Sequence, residues 1–170
     1  MRKFLEFKHW QLFLLIVICG SWKSPSPLEE IIHFISIITF TGWIYSLGVY
    51  GHQLILNLGL SSMKIKTFRF NVLLVGITLV SSLIWSHYIT ETNSVQVKDI
   101  PLIFFWIYFS YALLQPICFV CKILAKIERK SEVIFSDYLS YLLLMFFFPI
   151  GIWIIQPKIN RLFSKPLADS

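Results

Sequence analysis

Apolar positions in this chain come in long unbroken runs, and charged positions fall between them. No Lys, Arg, Asp or Glu occurs from Ile31 to Met63, from Phe70 to Thr90, from Ile100 to Val120 or from Tyr138 to Pro157. A bilayer core of about 30 Å needs roughly 20 helical residues. The first three runs therefore predict crossing helices at about 31–57, 70–90 and 100–122. A shorter apolar run, Trp10 to Trp22, reaches that length if its helix starts near residue 5 and Lys8 snorkels back to the surface. It predicts a first span at about 5–23, ended by Pro25 and Pro27.

The last apolar run reads differently. Pro149 removes a backbone donor and disfavours a helical Phe148, and Gly151 tolerates a sharp turn. A break there leaves Tyr138–Phe148 and Ile152–Ile155, each too short to span. Beyond it, Ile152, Ile155, Ile159, Leu162 and Phe163 recur at helical spacing with Lys158 and Arg161 between them. That pattern suits a helix lying in the membrane interface with Trp153 at headgroup depth. The expectation for about 136–163 is a re-entrant or interfacial segment. A kinked fifth span is the alternative, since prolines occur in transmembrane helices.

Cations arbitrate between the two readings, because Lys and Arg favour the cytoplasmic flank of a span. With the N-terminus inside, four spans and a returning fifth segment, thirteen of the fifteen cations lie inside and two, Lys23 and Lys98, outside. If the fifth segment crosses, the split is ten and five. The first arrangement is the expected one, with both termini in the cytoplasm of a bacterial inner membrane. The start, MRKFLEFKHW before QLFLLIVICGS, also has the basic and apolar regions of a signal peptide, with Gly20 acceptable before a cut but Ile18 poor two places earlier. An uncleaved first span is expected.

Composition agrees with lipid as the solvent. Hydrophobic residues make up 56% of the 170 and charged ones 14%, against about 45–50% and about 25% in soluble domains. Mean hydropathy is +0.72. The fold expected is all-α: a polytopic membrane helix bundle in a single domain, 1–170, of four transmembrane helices plus the Pro/Gly-broken C-terminal segment. The net charge of +6 is expected to meet anionic headgroups on the cytoplasmic side, at about 1 kcal/mol per cation. The two main basic clusters are Lys64 to Arg69 and Lys126 to Lys130. Nucleic-acid binding is discounted, for want of a soluble fold to present a basic face.

The run FSDYLSYLLLMFFFPIGIWIIQPKINRLF, Phe135 to Phe163, resembles the C-terminal signature of a group of small bacterial multi-pass integral membrane proteins with no assigned activity. The HWQLFLL start, His9 to Leu15, and the KIKTFRF loop, Lys64 to Phe70, are similar to theirs as well. The resemblance covers most of the chain in scattered fashion and is specific mainly at PIGIWIIQPKIN. It implies a membrane protein and transfers no catalytic residue. Members of the group tend to carry an acidic residue where this chain has Tyr141, which puts a proton-linked role there in doubt.

Candidate chemistry is thin. Ionisable residues inside a membrane are costly and usually functional, and the apolar runs at 31–57, 70–90 and 100–120 hold no Asp, Glu, Lys or Arg. That weighs against ion-coupled transport, proton pumping and voltage sensing. His33 and His87 fall near the outer ends of the second and third spans, where they could approach each other. An interfacial histidine is the plainer reading, with Trp85 and Tyr88 forming an aromatic belt. His52, near Gln53 and Asn57, suits interhelical hydrogen bonding. Cys118 and Cys121 form a CxxC. A four-span chain with this motif is similar in outline to the quinone-coupled thiol oxidases of the bacterial envelope, but those use two pairs on the oxidising side. Here the pair falls near the reducing side, Cys19 is the one other cysteine, and a zinc site needs three or four protein ligands. Small apolar packing is the expected role.

Gly42 and Ser46, followed by Gly48 and Gly51, let the second span approach another helix closely. They mark it as the hub of the bundle or of an interface with a membrane-protein partner or second copy. The functional expectation is a non-catalytic membrane component for assembly, binding or lipid contact, with no metal and no cofactor. A small-molecule or lipid carrier, or a membrane enzyme, using a cavity near His33/His87 or Pro149 is the alternative, and a thiol redox protein using Cys118 and Cys121 a weaker one.

Overall fold

A computed structural model describes residues 3–23, 28–89 and 100–164. Among the described residues every regular element is helical. The chain begins with α1 (Lys3–Glu6), then α2 (His9–Leu12), a π-helical stretch (Phe13–Ile18) and α3 (Cys19–Ser21) in direct succession. Three long helices follow: α4 (Leu28–Asn57), α5 (Ile65–Ile89) and α6 (Ile100–Arg129). The chain closes with α7 (Phe135–Phe146) and α8 (Phe148–Ser164). Three helices are long and apolar enough to cross a membrane, over Leu28–Asn57, Ile65–Leu83 and Phe105–Arg129. His9–Ser21 and Phe135–Phe146 are shorter apolar helices.

The long helices start and stop for local reasons. Glu29 and Glu30 in the first turn of α4 oppose the positive end of its dipole. At its far end Gly59, at φ +70, donates to Leu56, while Leu60 donates to Ile55. This closes the helix with a left-handed residue that glycine adopts without a Cβ penalty. Lys130 does the same for α6 at φ 52, without that advantage. The sequence expectation ended these helices near the charges. α4 ends at Asn57, as expected, while α6 runs past the expected 122 to Arg129, where the turn at Lys130 stops it.

α4, α5 and α6 pack against one another as three mutually adjacent helices. Their level is fixed by one layer: Phe68 stacks on Phe119 at 4.5 Å, and the Phe68 ring fills the space a Cβ at Gly48 would need. From that layer α4 runs back to Leu28, α5 on to Ile89 and α6 back to Ile100. Each stretch is about 20 residues, or about 30 Å. On the other side of the layer lie Lys64, Lys66, Lys122, Lys126 and Arg129, so this is the basic end of the bundle.

The last segment is a helical hairpin. α7 opens with the Ile134 N–H donating to Asp137 Oδ2 at 2.9 Å and stops at Phe147, whose φ −89 and ψ 51 are not helical. Pro149 is the cause: a continuing helix would drive its ring into the carbonyl four residues back. The break therefore falls two residues before the proline, not at Pro149–Gly151. Phe148 is helical, and Pro149 sits in the first turn of α8, where a missing N–H costs nothing. α8 then runs back along α7. A Cβ at Gly151 would overlap the Leu144 carbonyl, and Lys158 reaches Tyr141. Phe148, at the hairpin tip, packs edge-on against Phe40 at 5.5 Å and Trp43 at 5.7 Å. The Ile152, Ile155 and Ile159 face of α8 is buried in the bundle, at no more than 1% exposure. It does not face lipid, unlike a helix lying free in the interface. Trp153 is half exposed and rests on His9 and Phe13.

Candidate functional site

The polar chemistry of the fold gathers where α8 meets the N-terminal segment. Between α1 and α2 the helix is interrupted at Phe7 and Lys8, which leaves carbonyls in need of donors. Gln156, fully buried, supplies them. Its Nε2 donates to Phe7 O at 2.8 Å, to Leu5 O at 3.2 Å and to Asn160 Oδ1 at 2.9 Å. Its Oε1 accepts from the Trp43 indole N–H at 2.9 Å. Asn160, one turn on, also donates to Phe7 O. One glutamine thus ties α1, α4 and α8 together across 151 residues of sequence. A second side chain makes a similar repair higher up, where Ser36 Oγ donates to the Ile16 carbonyl at 2.9 Å beside the π-helical stretch.

Ion pairs knit the basic end. Lys126 is 1% exposed. Its Nζ lies 2.7 Å from Glu132 Oε2 and donates to Ser61 Oγ at 2.7 Å and Ser61 O at 3.2 Å. The Ser61 N–H donates to Glu132 Oε1. The Lys126 ammonium and the Ser61 groups hold the Glu132 carboxyl down to about 2. Arg129 pairs with Asp137 at 2.6 Å. Glu128 accepts from the buried Tyr141 hydroxyl and pairs with Lys158 at 3.0 Å, whose Nζ also sits 5.2 Å from the Tyr141 ring centroid. An acidic group does meet position 141, but it comes from Glu128.

Higher in the bundle, Asn71 is fully buried. Its Nδ2 donates to Gln115 Oε1 at 3.1 Å, and its Oδ1 accepts from the Tyr108 hydroxyl at 2.9 Å. This trio joins α5 to α6. Among the described residues two buried polar atoms meet no partner, Thr41 Oγ1 and His52 Nδ1. Thr41 also borders a half-open apolar crevice of about 50 Å³, which Phe40 and Ile44 line with Val72, Ala112 and Pro116.

The residues singled out in the sequence fall in several places. Gly42 receives the Phe4 ring, Gly48 the Phe68 ring and Gly51 the Ile123 side chain. Ser46 is buried beside them. These small positions are filled by helices of the same chain. Pro149 and Gly151 shape the hairpin. His33 is half-buried on α4, and His87 lies on α5 outside the described side chains. Cys118 is half-buried, Cys121 buried, and both are free thiols. Pro25, Pro27, Lys98 and Lys165 lie outside the described residues. No group of three His, Cys, Asp or Glu side chains with metal-site geometry occurs among those described.

Sequence reasoning passed over Gln156, Asn160, Asn71 and Gln115, and it set Lys126 among the cations facing headgroups, whereas the fold buries it against Glu132 and Ser61. A signal for the first two was present: polar residues four apart on a helix face that otherwise reads Ile152, Ile155, Ile159. No family model matches this chain, and no curated protein or solved structure is similar to it at a significant level.

Proposed function

We propose that the chain is a non-catalytic component of a bacterial inner membrane, acting in assembly, binding or lipid contact. In this reading the layer of Gly48, Phe68 and Phe119 marks the cytoplasmic edge of the hydrocarbon. The about 30 Å of helix beyond it matches one bilayer core. α4, α5 and α6 cross, and the broken segment from α1 to α3 makes a fourth crossing. α7 and α8 re-enter: Phe40, which meets the hairpin tip, is eight residues beyond Gly48, so the tip reaches about 12 Å into the inner leaflet. Phe146, Phe147 and Ile150, each more than 60% exposed, then face lipid. The same chemistry that resembles the small bacterial membrane proteins, PIGIWIIQPKIN, is the hairpin and its glutamine clamp.

The observation that carries a non-catalytic role is the use made of the buried polar groups. Gln156 and Asn71 are spent on joining one helix to another and Lys126 on holding the loops at Ser61 and Glu132, and they do not converge on an open cavity. Meanwhile Glu128, Glu132 and Asp137 are all paired. Lys64, Lys66, Arg69 and Lys122 therefore lack a carboxylate among the described residues and remain for anionic headgroups.

Thiol trapping in intact cells tests this against the redox alternative. Cys118 and Cys121 should be alkylated as free thiols in growing cells and after a mild oxidant pulse. A disulfide between them that forms and is re-reduced would overturn the non-catalytic reading.

A further inference from the structure

We propose that the face shared by α5 and α6 is a binding site for one net-anionic phospholipid. The inference rests on the orientation given above and adds a defined ligand to it. The Asn71–Gln115 hydrogen bond fixes the register of these antiparallel helices. Seven residues toward the basic end lie Lys122, two turns along α6, and Lys64, the residue just before α5, whose carbonyl accepts from the Phe68 N–H in the first turn. Two turns return a residue to the same face, so both lysines stand below the amide pair on one side of the bundle. Lys64 is exposed and Lys122 half-buried. Neither meets a carboxylate among the described residues, because those of this end are paired elsewhere.

Going deeper, the chemistry changes in the order a phospholipid needs. The two ammonium groups stand at headgroup level. About 10 Å above them, Gln115 has its Oε1 committed to Asn71, which leaves its NH₂ to donate toward the ester carbonyls. Above that come the rings of Tyr108 and Tyr111, 6.0 Å apart and both exposed, against which acyl chains can lie. The Asn71 amide and the Tyr108 hydroxyl are paired within the protein, but the Gln115 NH₂ at this depth would be costly against bare hydrocarbon. Two lysines with no carboxylate select a headgroup of net negative charge over a zwitterionic one.

Native mass spectrometry of the purified full-length protein tests the site, after delipidation and titration with phosphatidylglycerol or phosphatidylcholine. One phosphatidylglycerol should be retained in preference to phosphatidylcholine. Lys64→Gln with Lys122→Gln should weaken that binding about tenfold or more, at about 1 kcal/mol per lysine. Gln115→Leu should weaken it less. The control, Lys66→Gln with Lys130→Gln, removes the same charge away from this face and should leave retention unchanged. Equal losses in the two double variants, or equal retention of the two lipids, would overturn the site. So would a stable dimer that holds no lipid on this face. Because this readout is taken in detergent, it can fail while the membrane orientation stands, and the orientation can fail while the site stands.

Discussion

α6 is one helix built in two ways. From Phe119 to Ile127 every residue but Lys122 is buried, whereas from Phe105 to Tyr111 only Phe109 is. The basic half is packed by α4, α5 and α7 and laced with ion pairs. The far half touches the bundle through Phe109 and Ala112, which form a small cluster with Val75, and through the Tyr108 hydroxyl on Asn71. On the proposed orientation the difference follows from the solvent. In lipid a helix satisfies its own backbone and can leave its apolar side chains outside. Where the chain emerges toward water, apolar side chains must find protein, and the irregular backbone between helices needs side-chain partners.

The largest effect should come from the clamp. Gln156→Leu strands the Trp43 N–H and the Leu5 carbonyl and leaves the Phe7 carbonyl to Asn160 alone, a loss of roughly 3 kcal/mol. The unfolding temperature in detergent should fall sharply, and α1 should become sensitive to protease. Next, the two halves of α6 can be set against each other. Ile123→Ala, in the basic half, should cost about 2–4 kcal/mol. Ile107→Ala, 62% exposed in the far half, should stay within about 0.5 kcal/mol. Equal costs would break the comparison.

Two smaller effects sharpen it. Gly59→Ala should cost about 1 kcal/mol through its φ of +70 alone, since nothing lies within 4 Å of the added methyl. Glu132 should give the basic end a pH dependence. Its folded pKa is depressed to about 2, below the roughly 4.3 of a free glutamate. The pairing with Lys126 therefore contributes fully above about pH 4.3 and is lost as pH falls toward 2. Glu132→Gln should flatten that acid limb of a thermal melt. Because Glu132 is exposed, the effect is the smallest of the four and shrinks in salt.

Much of the far half was legible from charge-free runs, because length and apolarity are what lipid demands. The predicted 31–57 became Leu28–Asn57, and 100–122 became Ile100–Arg129. α4 gained its extra residues at the far end, and the overrun of α6 at the basic end stops at a turn that hydropathy does not sense. The proline break was legible to within two residues, since Pro149 excludes a continuous helix but does not say where the turn before it falls. The glycines of α4 declared close packing, yet nothing local to Gly48 names Phe68 as the ring that fills it. The basic half was the less legible for the same reason. Gln156 and Lys126 owe their roles to partners 149 to 151 and 65 residues away, and a polar residue in an apolar run does not announce which carbonyl it will meet.

In the proposed topology α7 and α8 go in and come back on the same side. The most direct test fuses, after Ser170, a reporter active only in the cytoplasm and, in parallel, one active only outside. Activity of the cytoplasmic reporter alone is the predicted result. It would put the C-terminus on the side of Lys64 and Lys126, as a hairpin turning at Phe147 requires. Activity of the external reporter alone would contradict it, making the segment a fifth crossing and leaving Lys158, Arg161 and Lys165 on the wrong side of the membrane.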